Sequence, residues 1–279
     1  MCLIGWAWWP ERPDPLWLAA NRDEAWDRPT APLARWRLDD GTIVLSGRDR
    51  RAGGAWLAFG QGGRLAMLTN VRTEGRATPA PRSRGELVVD WLRQQARAQT
   101  WTDWLQDHPA DAYEGCNLVL VDGPTGRWRW LTNVDPTGSP GLPDDLQQQA
   151  GWWSAPVGPG VHTLSNAALD TPWPKARLLR RCLQQITDDP PSTERALCRA
   201  LQTAAAQPVS DGSQLPLHPW IQWPQRRYGT RSSLVVRLDR RGLLQATEWT
   251  YAPGQGSAGI AQAAVRRRCM AWWGMPTSS

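Results

Sequence analysis

Histidine occurs three times in this chain of 279 residues, and phenylalanine once. The histidines, His108, His162 and His218, are far apart, and none stands at a metal-ligand spacing. A histidine-based triad would need a long-range convergence that leaves no local sign. Cysteine is also scarce: Cys2, Cys116, Cys182, Cys198 and Cys269. An odd count with no C-x-x-C pair argues against a disulfide framework and against structural zinc. No metal and no cofactor are expected. No run approaches the ~18 apolar residues of a membrane span. The opening apolar run, Cys2 to Trp9, is too short for a signal-peptide core and lacks a basic lead-in. A cytoplasmic protein without a membrane span is expected. The glycines at Gly60-Gln61-Gly62-Gly63 join two strand patterns with no helix after them, so they form no phosphate cradle.

What is present is a chain with 41% hydrophobic residues, enough for a sizeable core, and 20 tryptophans. Many tryptophans, such as Trp6, Trp56, Trp91 and Trp130, fall within strand or helix patterns and read as replacements for other aromatics. The net charge is +6. Lysine is nearly absent while arginine is abundant, and the arginines are scattered among acids in short clusters. This reads as a solvated basic surface, so no nucleic-acid partner is expected, while attraction of acidic ligands stays open.

Hydrophobic periodicity organises the chain. Cys2 to Trp9 and Leu16 to Ala20 predict two strands around a proline-bearing turn. Thr42 to Ser46 predicts a short strand, and Ala55 to Gly60 with Arg64 to Thr69 a hairpin. Thr73 to Arg82 reads as a loop. Ser83 and Glu86 read as a capping box opening a helix to about Ala98, followed by a short helix from Thr102 to Asp107. Asn117 to Val121 and Arg127 to Leu131 predict another hairpin. The stretch 136–160 reads as a long loop or flap, and Val161 to Leu164 as a strand. Helices are predicted at Pro174 to Ile186 and Thr193 to Ala205, the latter capped by Ser192 or Thr193. A proline-bearing loop from Gln207 to Gln225 precedes a final hairpin, Ser232 to Leu238 with Leu243 to Thr250. The tail, Ala258 to Ala271, reads as a helix. Hairpins dominate, so the sheets are expected to be antiparallel. With no clean linker and no repeat, residues 1–279 read as one domain, the tail after about 255 being peripheral.

The chemistry concentrates at the start. Removal of Met1 would leave Cys2 with a thiol and a free α-amine. An α-amine has a pKa of about 7.7–8.0 and can serve as a base near neutral pH. The predicted hairpin brings Asn21-Arg22-Asp23-Glu24 back beside Cys2, so Asp23 could hold that amine. A nearby cation would lower the thiol pKa; Arg22 and Arg231 are the candidates. Asn70 and Asn166 leave strands where an amide can donate to a developing oxyanion. Asn133 sits similarly but reads as a turn former. Asn21, Arg22 and Arg72 are the candidate substrate-binding residues.

Asn21-Arg22-Asp23-Glu24 followed by Arg28-Pro29-Thr30 resembles the signature of the NRDE family, the transport and Golgi organisation 2 homologues. Further motifs agree in order: Gly53-Gly54-Ala55-Trp56-Leu57, Leu68-Thr69-Asn70-Val71-Arg72, Ser83-Arg84-Gly85-Glu86-Leu87, Tyr113-Glu114-Gly115 with Asn117-Leu118, Leu164-Ser165-Asn166 through Lys175, and Tyr228-Gly229-Thr230-Arg231-Ser232-Ser233. The family in turn is similar to cysteine Ntn (N-terminal-nucleophile) hydrolases such as bile salt and penicillin V acylases. That resemblance implies an α+β fold, a four-layer α/β/β/α sandwich of antiparallel sheets. It also implies roles: Cys2 as nucleophile, Asp23 holding the α-amine, Asn70 and Asn166 binding the oxyanion, Arg231 flanking the nucleophile. One position departs. Those acylases carry an arginine three residues before the aspartate, where this chain has Ala20; Arg22 is a neighbour on alternate spacing. The expected activity is hydrolysis of a non-peptide C–N amide or thioester bond in a small acyl substrate. The alternative is non-catalytic binding and trafficking of haem or an acyl-CoA-like lipid, as the family's eukaryotic members suggest. Against haem, the chain has no C-x-x-C-H and no Cys-Pro pair.

Overall fold

The computed structural model describes residues 2–73, 79–97, 100–204, 217–252 and 265–272. Met1, and with it the expectation of its removal, lies outside them, as do parts of the predicted loops at 73–82 and 207–225.

In chain order the strands β1 (Leu3–Trp8) and β2 (Leu16–Ala25) come first, then β3 (Thr30–Arg37) and β4 (Ile43–Asp49). The hairpin β5 (Leu57–Gly60) and β6 (Leu65–Asn70) precedes helices α1 (Arg84–Arg97) and α2 (Trp101–Asp107). Next come β7 (Cys116–Asp122), β8 (Arg127–Thr132), β9 (Gln147–Gln149), β10 (Trp152–Val157) and β11 (Gly160–Leu164). Helices α3 (Pro174–Gln184) and α4 (Pro190–Leu201) lead to β12 (Gln222–Trp223), β13 (Tyr228–Leu238), β14 (Leu243–Thr250) and β15 (Val265–Trp272).

One sheet runs β11-β1-β2-β13-β14-β15, with β12 also on β13; the other runs β3-β4-β5-β6-β7-β8-β10-β9. All these strand pairs are antiparallel. Strand alternation sends successive side chains to opposite faces, and three apolar layers result. Ile4, Trp6, Leu18 and Val236 of the first sheet meet Phe59, Met67, Val119 and Trp130 of the second. Ala58, Ala66 and Leu118 face Leu87, Trp91 and Trp104 of α1 and α2. Leu3, Ala7 and Ala19 face Leu179, Leu183 and Leu197 of α3 and α4. The architecture is therefore a four-layer α/β/β/α sandwich. Helix α3 lies so close to β1 that a Cβ on Gly5 would meet Leu179 Cδ2 at 2.7 Å and Leu183 Cδ1 at 2.8 Å.

Trp6, Trp17, Trp104, Trp130 and Trp152 are among the largest fully buried side chains, so the abundant tryptophan fills the core. Trp128 stacks on both Trp6 and Trp8, centroids 5.9 and 4.9 Å apart. Each such pair contributes about 0.5–1.5 kcal/mol beyond area burial.

Several local expectations need correction. Strand β2 continues through Ala25, so Asn21 to Glu24 lie within it, not after it. Strand β3, missed in the sequence, contains Pro32; as an edge strand with a register shift between Ala31 and Ala34, it tolerates the missing N–H. Strands β9 and β10 occupy much of the expected 136–160 flap. Pro156 of β10 lies beyond the short β9 ladder, which spans Trp152 to Ser154, so no neighbour on that side needs its N–H. The capping box belongs to α2, where Thr100 and Asp103 bond reciprocally. Glu86 instead accepts from Tyr113 Oη at 2.9 Å and pairs with Arg82. Helix α4 opens at Pro190, whose fixed φ suits a first turn. Of the predicted tail helix, 258–264 lie outside the described residues. The rest is β15, whose Cys269 and Ala271 alternate into the core between the sheets while Met270 is exposed.

Candidate active site

Strands β1 and β2 pair with Leu3 opposite Asn21. Cys2 precedes β1 and lies beside the Arg22–Asp23 stretch of β2, where the Asp23 main-chain amide bonds its thiol. Cys2 is buried, and its carbonyl accepts from Ser165 Oγ at 2.7 Å. A cavity of about 160 Å³ is lined by Cys2, Arg22, Asp23, Glu24 and Asn70, with Arg28, Arg48, Asp49 and Arg84 around it. Burial pushes the Cys2 thiol up; the Asp23 carboxylate adds to this, while the Asp23 main-chain amide and Arg22 pull it back.

Asp23 is buried too. Thr230 donates to its Oδ1 at 2.7 Å, and Tyr228 Oη donates to its carbonyl at 2.9 Å. Burial raises its carboxyl above the ordinary range, opposed by Lys175, the Thr230 bond and Arg22. Arg22 shares the face of β2 that carries Leu18 and Ala20. It lies 3.4 Å from Glu24, and its buried Nη1 has no hydrogen-bond partner among the described residues.

The other expected cation is elsewhere. Between Thr230 and Ser232 the β13–β2 register shifts, and Arg231 sits at the irregularity. Such a bulge re-aims its side chain. The Arg231 Nη1 donates to the carbonyls of Ala25 and Trp26, at 2.9 and 2.8 Å. Arg231 therefore braces the end of β2 and does not line the Cys2 cavity; Arg22 is the arginine that acts on the thiol.

Asn70, ending β6, lines this cavity and a larger one of about 630 Å³ that also holds Arg72, Arg84, Asn166, Trp223, Arg226 and Tyr228. Asn166 lines only the outer cavity. Its Nδ2 donates to the Asn70 carbonyl at 2.6 Å, and its Oδ1 lies 2.9 Å from Ser165 Oγ. The two asparagines meet, with Asn166 behind Asn70. Arg72 is exposed at the outer mouth. Asn21 lines neither of these cavities. It is fully buried, donates to the carbonyls of Leu201 and Pro219 at 2.7 and 2.9 Å, and accepts from Ser233 at 2.6 Å.

Other supports carried weak sequence signals. Asn117, fully buried in β7, donates to Ser165 O at 3.2 Å and Ala167 O at 2.8 Å and accepts from Trp130 Nε1 at 3.2 Å. Thr69 Oγ1 also donates to Ser165 O. Together they tie the loop after β11 to the second sheet. Lys175, in the first turn of α3, is fully buried beside Asp23 and Cys2. Asn117 and Lys175 stand in the family motifs, but nothing in their spacing marks them as part of the site. His108 is bonded to Trp104 and Asp90, and His162 to Asp170 and Gly158.

A third cavity, of about 500 Å³, lies at the far end of β1 and β2. Two of its arginines are engaged, Arg237 with Asp14 at 2.7 Å and Arg12 over the Trp9 ring at 4.0 Å. It contains none of the chemistry gathered around Cys2.

The sequence profile described as Transport and Golgi organisation 2 matches residues 1–253. A human relative, transport and Golgi organization protein 2 homolog, is 31% identical over 257 residues, covering 84% of this chain and 85% of its own. Among solved structures, a conjugated bile acid hydrolase variant from Clostridium perfringens aligns with a TM-score of 0.43 at 10% identity, over 100% of this chain and 99% of its own. The Caenorhabditis elegans ortholog of N-acylethanolamine-hydrolyzing acid amidase aligns with a TM-score of 0.39 at 10% identity, over 95% and 99% of the two chains.

Proposed function

The chain belongs to the Transport and Golgi organisation 2 family, and from its site we propose that it is an N-terminal-nucleophile hydrolase of a small acyl amide or thioester. The observation that carries this reading is the gathering of Cys2, Asp23, Arg22 and Asn70 around one buried cavity. With Met1 removed, the Cys2 α-amine takes the thiol proton and the sulfur attacks the acyl carbonyl. The Asn70 amide donates to the oxyanion, and Asn166 fixes Asn70 through its carbonyl. Asp23, held by Thr230, orients the amine. The ammonium returns its proton to the leaving nitrogen or sulfur, leaving an acyl thioester on Cys2. Water, deprotonated by the amine, then releases the carboxylic acid and restores the thiol. The reacting carbonyl occupies the inner cavity and the rest of the substrate the outer one.

Intact mass of the purified protein, with and without brief iodoacetamide treatment, tests the premise. Loss of Met1 with Cys2 alkylated first supports it. Retained Met1 overturns it. In a panel of amides and thioesters, Cys2→Ala is expected to abolish turnover; full activity in that variant refutes the mechanism.

A further inference from the structure

Lys175 is the chain's only lysine, against thirty-one arginines. It is also fully buried, with 0% of its surface exposed. Lysine is among the residues least often buried without a partner, yet its Nζ has no hydrogen-bond partner among the described residues. Its one ring contact is weak, 5.5 Å to the Trp173 centroid. Lys175 lies in the first turn of α3, the helix packed on the face of β2 that carries Ala19 and, by alternation, Asp23, and Asp23 and Cys2 are the groups whose charges act on it.

An arginine there would bring five donors needing acceptors and a charge that never leaves; a lysine brings a compact ammonium that can titrate. Arg22 is paired with Glu24 and Arg28 with Asp49, which leaves Asp23 as the carboxylate that acts on Lys175 and, in the mature chain, two amines to share it, Lys175 Nζ and the Cys2 α-nitrogen. One buried carboxylate neutralises one buried cation, and a second cation beside it is disfavoured by desolvation and like-charge repulsion. Which amine keeps the proton follows from their intrinsic basicity. Ordinary values are about 10.4 for lysine and about 7.7–8.0 for an α-amine, a preference of roughly 300-fold for lysine.

We propose that Lys175 is the positioning residue that keeps the Cys2 α-amine unprotonated, by holding the one positive charge that Asp23 can neutralise. This rests on the N-terminal-nucleophile reading and adds to it the reason the amine is a free base at neutral pH. The same principle activates lysines placed beside another cation. Burial lowers Lys175 from the ordinary lysine range, and Asp23 followed by Cys2 raises it again. The other charged groups near the pair are accounted for. Arg22 and Glu24 come from β2, Arg48 and Asp49 from β4, and Arg84 from α1. Arg231 of β13 is turned to main-chain carbonyls. On the elements packed against α3, His162 of β11 is bonded to Asp170, and Glu194 of α4 pairs with Arg266 and Arg268.

The scarcity of lysine makes the test clean. Protein labelled with [15N]cysteine has one amine nitrogen, that of Cys2, while its other four cysteines give amides. Protein labelled with [ε-15N]lysine has one side-chain amine. Titrating both by NMR is expected to show the Cys2 amine losing its proton at least about one pH unit below an ordinary α-amine, and Lys175 losing its proton at higher pH. In Lys175→Met the Cys2 midpoint is expected to rise by about one unit or more, a tenfold change in the protonation ratio; Lys175→Arg is expected to leave it low. An unchanged midpoint in folded Lys175→Met overturns the proposal. So does a wild-type protein in which Lys175 deprotonates before the Cys2 amine, a result that needs no variant to fold. A retained Met1 is recognised separately, because the cysteine label then gives amides alone; that outcome overturns the N-terminal-nucleophile reading itself and this proposal with it.

Discussion

Replacing Asn117 by alanine tests how the loop bearing Ser165 and Asn166 is held. The Asn117 amide links three elements: its Nδ2 serves the carbonyls of Ser165 and Ala167, and its Oδ1 accepts the Trp130 indole N–H. In Asn117→Ala the Ser165 carbonyl keeps the bond from Thr69. The Ala167 carbonyl and the Trp130 N–H lose the bonds described here, and the indole is fully buried. Leaving a buried polar group unsatisfied costs about 1–3 kcal/mol, so two such groups give about 3 kcal/mol, somewhat less if water enters the vacated space. Urea unfolding followed by tryptophan fluorescence reads this directly. With a slope near the upper end of the usual ~1–3 kcal/mol per molar, the midpoint is expected to fall by about 1 M. Cys2 is expected to alkylate faster, because Ser165, which holds its carbonyl, is loosened. A stability loss below about 1 kcal/mol would refute the assignment of Asn117 as the tie between the sheets.

Two further outcomes separate structural from chemical roles. Asn21→Leu removes the bonds to Leu201, Pro219 and Ser233 and is expected to lower stability by about 2–4 kcal/mol with the Cys2 alkylation rate unchanged; a large rate change at intact stability would return Asn21 to the site. For Asp170, burial raises the carboxyl, but bonds from His162 and Thr163 and the charge of Arg180 outweigh it and hold it below the ordinary range. A depressed carboxyl contributes stability above its unfolded value, about 3.9, and that contribution is lost as pH falls through the lower folded value. Thermal midpoints below about pH 4 are therefore expected to fall more steeply in the wild type than in Asp170→Asn; equal slopes would refute this. Asparagine tolerates the left-handed backbone of this residue, φ 61°, so the comparison isolates the charge.

Local patterning made the hairpins legible because their strands alternate cleanly between two faces. It failed where tertiary context overrode propensity. Thr30 to Arg37 buries only Leu33 and contains a proline, features that an edge strand accepts and a sequence pattern penalises. The strand at Val265 to Trp272 carries three consecutive arginines, which mask its alternation. That Cys2, Asp23 and Asn70 share one cavity was legible because a hairpin and a strand exit carry them to one end of the sandwich. The place of Lys175 near Asp23 was not, since it depends on α3 packing against β1 and β11, a long-range contact without local spacing.

The place of Arg22 at the cavity follows from the same alternation. At position 20 an arginine would point between the sheets, where Ala20 is fully buried among Leu18, Val119 and Val236. That layer is closed by tryptophans and leucines and offers a guanidinium no acceptors. Two residues later the same face of β2 has left the apolar layer and reached the cavity, where Glu24 stands 3.4 Å from Arg22. A strand repeats its facing every second residue, so Arg22 keeps the facing of position 20 and lies about 7 Å further along the strand. Arg231 holds the carbonyls of Ala25 and Trp26. Arg22, buried at the cavity and paired with Glu24, is therefore the cation beside the Cys2 thiol, and position 20 is left to the apolar layer.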